Sequence, residues 1–202
     1  MEMRLRRPPK QQRSRGRVDE ILAAARKLIG EKGIDAVKMR EIAALAGGPI
    51  SSVYQYFPNK SAILATLFEQ WADEIDQQVK ERLGQVETVD DLMLAASELT
   101  DYFYGRIDKD ASVLDLLNAV QADKTLANLD LATSRRQAEW FCDVGERFVP
   151  EDRHEDFRRA TALTFHLAFA AVRLAIWDKS TNALVLDDFK ALIRRQMSTF
   201  TA

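Results

Sequence analysis

The sequence is poor in the residues that build disulfides and metal sites. Its 202 residues include one cysteine and two histidines. A lone cysteine, Cys142, cannot form a disulfide within the chain, which is typical of a reducing compartment. So few cysteine and histidine side chains also leave little material for a zinc site. We therefore expect a protein without a metal or other cofactor.

Long hydrophobic runs are also scarce. The basic N-terminus has no apolar stretch of the length that a signal peptide needs. The most apolar segment, residues 160–177, has 14 apolar residues among 18, but six of them are alanine and the segment contains His166 and Arg173. A membrane span needs about 20 strongly apolar residues. We interpret the segment as a buried core helix and expect a cytoplasmic protein that contacts no membrane.

Strand and hairpin patterns are missing, whereas apolar residues recur at helical spacing along the whole chain. The first such stretch begins near Val18 and is expected to end at the glycines Gly30 and Gly33. The pattern as a whole predicts an all-α protein of about nine helices. Further helices are expected over about 39–46, 50–57, 60–83, 92–103, 113–120, 123–148, 160–177 and 186–200, with another helix start at Pro150.

Charge is distributed unevenly. Residues 1–60 contain 13 lysines and arginines against six acids, a net of +7, whereas residues 61–202 carry a net of −9. Residues 1–17 alone carry +6. This asymmetry predicts an N-terminal end that faces nucleic acid. Two interpretations of residues 1–16 stay open, a solubilising disordered tail or an arm that contacts phosphates or a minor groove.

The strongest functional signal lies in the segment 17–64. Two short helices, expected over 39–46 and 50–57, are joined there by Gly47-Gly48-Pro49, a spacing typical of a helix-turn-helix motif. We expect Pro49 at the first position of the second helix, with Gly48 as its N-cap. Val53 and Phe57 share the inward face of that helix. From spacing alone, a packed helical hairpin with ordinary polar surface residues is an equal alternative.

This region resembles the DNA-binding domain of TetR-family transcriptional regulators. The resemblance covers about residues 17–64, roughly a quarter of the chain, and the remainder agrees in length and helical character only. It rests on Ile21-Leu22-Ala23-Ala24-Ala25, Gly33, Ile42-Ala43, Ala46-Gly47, Ile63-Leu64 and above all Tyr54-Gln55-Tyr56-Phe57-Pro58-Asn59-Lys60.

The resemblance implies a division into an arm (1–16), a helix-turn-helix domain (17–63) and a ligand-binding and dimerisation domain (64–202). It further implies a homodimer that binds a palindromic operator on double-stranded DNA, usually as a repressor, and releases it when a small hydrophobic molecule binds the C-terminal domain. A DNA-binding dimer controlled by a protein partner, or by nothing, is the alternative. We do not expect an enzyme, because the histidines stand 12 and 24 residues from Cys142 and no phosphate-binding loop is present.

The residues expected to contact DNA form two groups. The resemblance assigns contacts to Ser52, Tyr54, Tyr56 and Lys60, and variable reading positions to Ile50, Ser51 and Gln55. Basic side chains that could reach phosphates add Arg13, Arg15, Arg17, Lys38 and Arg40. The sequence departs from the family at Gly48-Pro49, where Val-Ser is common, at Lys38, where Ser or Thr is common, and at Ile50-Ser51, where Gly or Lys-Gly is frequent.

The C-terminal region supplies candidates for a ligand pocket and a subunit interface. Acids such as Glu74 and Asp76 are interpreted as a solvated face. Aromatic and polar side chains of the middle helices suggest an apolar pocket, and the candidates are Trp71, Tyr102, Phe103, Trp140, Phe141, Phe165, His166 and Phe169. For each of them, ordinary packing in the core is the alternative. The resemblance implies that the last two helices pair with their copies, with candidates Ala168, Ala171, Ala175, Phe189, Ile193 and Phe200. The alternative is that these helices only close the core of a single chain.

Overall fold

A computed structural model describes residues 12–201, and side chains from residue 14 onward. Within these residues the chain forms nine α-helices and no strand, which confirms the predicted all-α class. Two short 3-10 turns, Glu146–Phe148 and Glu151–Arg153, precede α8. The helices are α1 Gln12–Ala36, α2 Met39–Leu45, α3 Ile50–Tyr56, α4 Lys60–Leu83, α5 Val89–Lys109, α6 Ala111–Ala122, α7 Ala127–Gly145, α8 His154–Trp177 and α9 Asn182–Thr201.

The helices belong to two compact units. The described part of the first unit comprises residues 12–72 and 110–130, and that of the second comprises residues 73–109 and 131–201. Helices α1 to α3 thus share a unit with α6, which is distant in sequence. The functional boundary at residues 63–64 stays a prediction, and the compact units divide elsewhere.

The first unit is built on α1, whose length and shape differ from expectation. The helix begins at Gln12, so residues 12–16 are helical and not part of an unstructured arm. Residues 1–11 lie outside the described chain. Gly30 does not end the helix, but it lets α6 approach closely, because a Cβ there would lie 3.0 Å from the Ser112 Cβ. Gly33 does interrupt α1, with a φ of 73° that favours glycine.

The second unit contains α5, α8, α9, the second half of α4 and α7 from Leu131 onward. Its last two helices run in opposite directions, since the Phe157 ring near the start of α8 lies 5.7 Å from the Phe200 ring near the end of α9. Thr164 Oγ1 donates to Gln196 Oε1 at 2.6 Å midway along the pair. Gly145 at the end of α7 admits the Phe157 ring, because a Cβ at this glycine would lie 2.7 Å from Phe157 Cζ.

One face of α8 is not buried, contrary to expectation. The stretch Glu151–Trp177 is long and apolar enough to cross a membrane by those two measures, and only 22% of its most apolar 18-residue window is buried. Val172 and Ala175 face the interior, but Leu167, Leu174 and Trp177 are 46%, 56% and 87% exposed. The interpretation of this segment as a buried core helix is therefore wrong for this face. Composition does not distinguish a core face from a face left open in a single chain.

Candidate nucleic-acid interface

The two short helices of the first unit form a helix-turn-helix. α2 ends at Leu45, and Gly47 in the turn has a φ of 69°, a left-handed value that favours glycine. The N-cap of α3 is Pro49, in extended conformation (φ −69°, ψ 150°). Pro49 therefore stands one position earlier than predicted, outside the helix, and Gly48 belongs to the turn.

The inward face of α3 is the predicted one. Val53 and Phe57 are fully buried, which fixes the rotation of the helix on the core. Ile50 and Tyr54 are 41% and 40% exposed, and Ser51 and Gln55 are exposed as well. The exposed face of α3 thus offers hydroxyl, amide, phenol and aliphatic groups, which are groups that read base edges and bind phosphates.

Two of the predicted contact residues are already engaged within the protein. Ser52 Oγ donates to the Pro49 carbonyl at 2.9 Å and accepts a hydrogen bond from Arg17 Nη2 at 3.0 Å. Arg17 Nη1 donates to the Ala46 carbonyl and to Glu20 Oε2. The Arg17 side chain is only 18% exposed.

Lys60 also has a contact within the chain. Its Nζ donates to the Ile34 carbonyl at 2.7 Å and lies 3.5 Å from the Val37 carbonyl, so it satisfies backbone groups where α1 ends. At the start of α4, Asn59 Oδ1 accepts from the Ala62 N–H at 2.9 Å. Lys60 is thus held close to the helix-turn-helix by the end of α1.

The start of α2 carries a carboxylate held by neighbouring groups. Glu41 Oε2 accepts from the Lys38 N–H at 2.9 Å, and Glu41 Oε1 lies 2.7 Å from Lys32 Nζ. The hydrogen bond from Lys32 is the largest cause of the lowered pKa of Glu41. The Lys38 and Arg40 side chains are exposed and remain candidates for phosphate contacts.

The structure thus places most of the predicted DNA-contact residues on one motif and its flanks. The sequence reasoning missed the approach of Arg17 to Gly48, which Gly48 itself could have signalled, since it departs from the family at a turn. The side chain of Arg13 lies outside the described side chains. Exposed positions are Arg15, Lys38, Arg40, Ile50, Ser51, Tyr54 and Gln55, and partly exposed ones are Arg17, Ser52, Tyr56 and Lys60.

The predicted pocket residues are divided between the two units. Trp71 belongs to the first unit, where its ring lies 5.8 Å from that of Phe68. The other candidates belong to the second unit, in which two ring pairs form, Phe103–Phe169 at 6.5 Å and Phe141–Phe165 at 5.7 Å. Tyr102 and Trp140 are partly exposed. His166 is exposed on α8 beside Leu163 and Leu167, so the structure does not support its role as a polar anchor inside the unit.

Two acids expected on a solvated face lie instead in the second unit's polar contacts. Asp76 is buried and accepts from Gln137 Nε2 at 2.8 Å and from Arg136 Nη2 at 2.5 Å. Glu74 accepts from Tyr102 Oη at 2.7 Å and pairs with Arg106. Burial is the main cause of the raised pKa of Tyr102, and Glu74 adds to it. The interpretation of a solvated face was wrong for Asp76, because its partners Arg136 and Gln137 lie on another helix, whereas the Glu74 side chain stays 37% exposed.

Cys142 lies in the core of the second unit. Burial raises the pKa of its thiol to about 11, so the thiolate is scarce near neutral pH and the side chain is a poor nucleophile. Across residues 12–201, no group of three or more His, Cys, Asp or Glu side chains is placed to hold a metal ion.

Comparison with known families matches both halves of the chain. Residues 21–67 match the family model described as bacterial regulatory proteins, tetR family. Residues 90–201, more than half of the chain, match the tetracyclin repressor-like C-terminal domain.

Similar proteins include two regulators and several solved structures. The chain is 35% identical over 75 residues to the HTH-type transcriptional regulator YvdT of Bacillus subtilis (37% of this chain, 38% of YvdT). It is 27% identical over 134 residues to the HTH-type transcriptional regulator CymR of Pseudomonas putida (66% of this chain, 61% of CymR). The matches thus span less than two thirds of either relative.

Solved structures agree in fold at low identity. A transcriptional regulator from Rhodococcus sp. Rha1 superposes with a TM-score of 0.72 at 17% identity, covering 92% of this chain and 98% of that one. SmeT, the repressor of a Stenotrophomonas maltophilia multidrug efflux pump, superposes with a TM-score of 0.67 at 18% identity, covering 87% and 89%. With the helix-turn-helix geometry above, the two matching family models show that this chain belongs to the TetR family of DNA-binding transcriptional regulators.

Proposed function

We propose that the protein is a homodimeric repressor that binds a palindromic operator and releases it when a small hydrophobic molecule binds the second unit. The exposed face of α3, with Ser51, Tyr54 and Gln55, supplies groups suited to base edges and phosphates.

The main support for a dimer is a row of exposed apolar side chains on α8, which we call the α8 seam. It consists of Leu163, Leu167, Ala170, Leu174 and Trp177, which are all exposed in the single chain. The spacing alternates between four and three residues, as in the seam of two packed helices. Leu184 and Leu192 on α9, 66% and 61% exposed, add to the apolar surface of the same helix pair. Contiguous exposed apolar surface of this kind marks an interaction site.

The seam changes which residues we expect at the subunit interface. Ala175, Phe189, Ile193 and Phe200 are buried within the chain, so they hold α8 and α9 together and have little surface for a partner. Ala168 and Ala171 are partly exposed and flank the seam. We assign the partner contact to the seam itself.

The ligand part of the proposal rests on the second unit's side chains. Tyr102, Phe103, Trp140 and Phe165 are only partly exposed and supply aromatic surface, while the Arg106–Glu74 and Arg136–Asp76 pairs supply polar groups. Ligand sites are mostly apolar with a few oriented polar groups. A small hydrophobic molecule with a polar end fits this composition.

The test measures sequence-specific binding and its release. Fluorescence anisotropy of a duplex from immediately upstream of the gene, against a scrambled duplex at two salt concentrations, should show tighter binding to the upstream fragment. Hydrophobic metabolites that raise the melting temperature should then release that fragment. Equal, salt-sensitive binding to both duplexes, repeated on duplexes selected from a random library, would exclude a specific regulator. Operator binding without stabilisation by any such molecule would favour the protein-partner or constitutive alternative.

A further inference from the structure

Three helices of the first unit meet at one side chain, that of Arg17. From α1, its Nη1 donates to the carbonyl of Ala46, the C-cap of α2, and its Nη2 donates to Ser52 Oγ on α3 at 3.0 Å. Ser52 Oγ in turn donates to the Pro49 carbonyl at 2.9 Å. One planar cation therefore joins α1 to the end of α2 and to the first turn of α3.

Gly48 provides the space for this guanidinium. A Cβ at residue 48 would lie 2.4 Å from Arg17 Nη2 and 3.0 Å from Arg17 Cζ. The glycines with positive φ in the described chain are Gly33 and Gly47, so Gly48 is not required by its backbone conformation. Because the guanidinium ends a flexible side chain, a methyl group at residue 48 would displace the guanidinium and leave the turn in place.

α3 has few other restraints at its first turn. It has seven residues, and its N-cap, Pro49, makes no side-chain capping hydrogen bond and has no backbone N–H. Its placement otherwise depends on the burial of Val53 and Phe57 at its middle and end. A helix this short is held by tertiary contacts rather than by its own hydrogen bonds.

We propose that Arg17 is a positioning residue that fixes the first turn of α3 against α2 for sequence reading, and that Gly48 is the glycine that admits it. The proposal rests on the proposed function, because it concerns specific operator binding. It reassigns Arg17, expected above to contact a phosphate, to contacts within the protein. We call Arg17, Gly48, Ala46 and Ser52 the Arg17 clamp.

A positioning residue and a phosphate contact make different predictions. Loss of a phosphate contact lowers the slope of log K against log salt by about 0.9 and weakens all duplexes alike. Loss of a positioning contact weakens the specific duplex and leaves both the slope and non-specific binding unchanged. Gly48→Ala distinguishes a positioning role from a phosphate contact, because it keeps the charge of Arg17 and removes only the hydrogen bonds of its guanidinium to Ala46 and Ser52.

The experiment compares Arg17→Ala, Gly48→Ala and the double variant with the wild type. Arg26→Ala is the matched control, since Arg26 is an exposed arginine of α1 whose side chain donates to Gln70 of α4 and not to α2 or α3. The probes are duplexes that the wild type selects from a random library, and a scrambled duplex. A second readout without DNA is amide hydrogen exchange at Ser52, whose N–H donates to the Pro49 carbonyl at 3.0 Å.

Both single variants should bind the selected duplex about tenfold more weakly with an unchanged salt slope, and the double variant should be no weaker than either. Exchange at Ser52 should accelerate in all three variants, and the control should change neither exchange nor specificity. The clamp would be overturned in favour of a phosphate contact by three results together. The salt slope would fall by about one in Arg17→Ala, Gly48→Ala would bind the selected duplex like the wild type, and exchange at Ser52 would be unchanged. If the wild type selects no duplex, the proposed function fails. The exchange data still test whether Arg17 holds the first turn of α3.

Discussion

The exposed surfaces of α3 and α8 differ in chemistry and in how they are held. α3 presents hydroxyl, amide and phenol groups, and Ser52 at its first turn is tied to the Pro49 carbonyl and to Arg17. α8 presents the apolar seam, whose members alternate at four-and-three spacing and include Leu167 and Leu174, at 46% and 56% exposure. Water can hydrogen-bond to the polar groups on α3, whereas the exposure of the apolar side chains of α8 to water is unfavourable. The difference indicates two kinds of partner, a polyanion for α3 and another apolar surface for α8.

The largest expected effect is on the α8 surface. Leu167→Glu combined with Leu174→Glu should convert the proposed dimer to a monomer, because burial of each leucine contributes about 1.5–3 kcal/mol and the change alters four side chains per dimer. Sedimentation velocity should show a dissociation constant at least about 100-fold higher, and operator affinity should fall with it.

The matched control for the seam is Leu94→Glu. Leu94 is 55% exposed on α5 and lies outside the α8 seam, so its replacement should leave the dimer intact. A wild-type protein that sediments as a monomer at micromolar concentration would contradict the interpretation of the α8 surface as a subunit interface.

A second prediction concerns the buried acid of the second unit. Asp76→Ala should lower the free energy of unfolding by about 2–3 kcal/mol, since it removes the partner of Gln137 and Arg136. The half-exposed guanidinium of Arg136 keeps the loss below that of a fully buried pair. Urea denaturation of Asp73→Ala, an exposed acid one turn earlier on α4, gives the control and should show a change within about 0.5 kcal/mol. Equal losses in the two variants would show that the contact contributes nothing.

On the α3 side, Tyr54→Ala and Lys60→Ala should differ. Tyr54 is 40% exposed, so its loss should weaken operator binding about tenfold with little change in stability. Lys60 also donates to the Ile34 carbonyl, so its loss should weaken binding and lower stability by about 1 kcal/mol. Anisotropy and urea denaturation on the same preparations check both. Full operator affinity in both variants would mean that another surface binds DNA.

Removal of residues 1–11 should have the smallest effect on sequence specificity. This segment carries four basic residues and one acid, and its removal leaves the described part of α1 intact. The salt slope of DNA binding should fall by up to about 3, and specific and scrambled duplexes should weaken alike. An unchanged slope would favour the solubilising-tail interpretation.

Local patterns predicted much of the fold. The apolar spacing around Val53 and Phe57 predicted the inward face of α3, and the structure buries both side chains fully. The long apolar repeat from residue 60 to 83 predicted α4, which has those bounds. Such features depend on residues within one or two turns of each other, so a single sequence contains them.

Features that depend on distant partners were not predictable. The burial of Asp76 depends on Arg136 and Gln137, about 60 residues away. The inward turn of Phe189 and Ile193 depends on which side of α9 meets α8, and an apolar helix does not specify this by composition. The contacts of Arg17 join residues 29 and 35 positions apart, so the sequence offers only an indirect sign of them, the glycine at residue 48.

The close approach of α6 to α1 at Gly30 affects how this regulator can be divided or recombined. The helices that read DNA share a compact unit with residues 110–130, and Ser61 Oγ donates to Asp123 Oδ2 at 2.7 Å within it. A fragment cut after residue 63 would leave the α6-facing side of α1 open to water. A chimaera that exchanges operator preference between two such regulators would therefore need to carry two separate stretches of sequence.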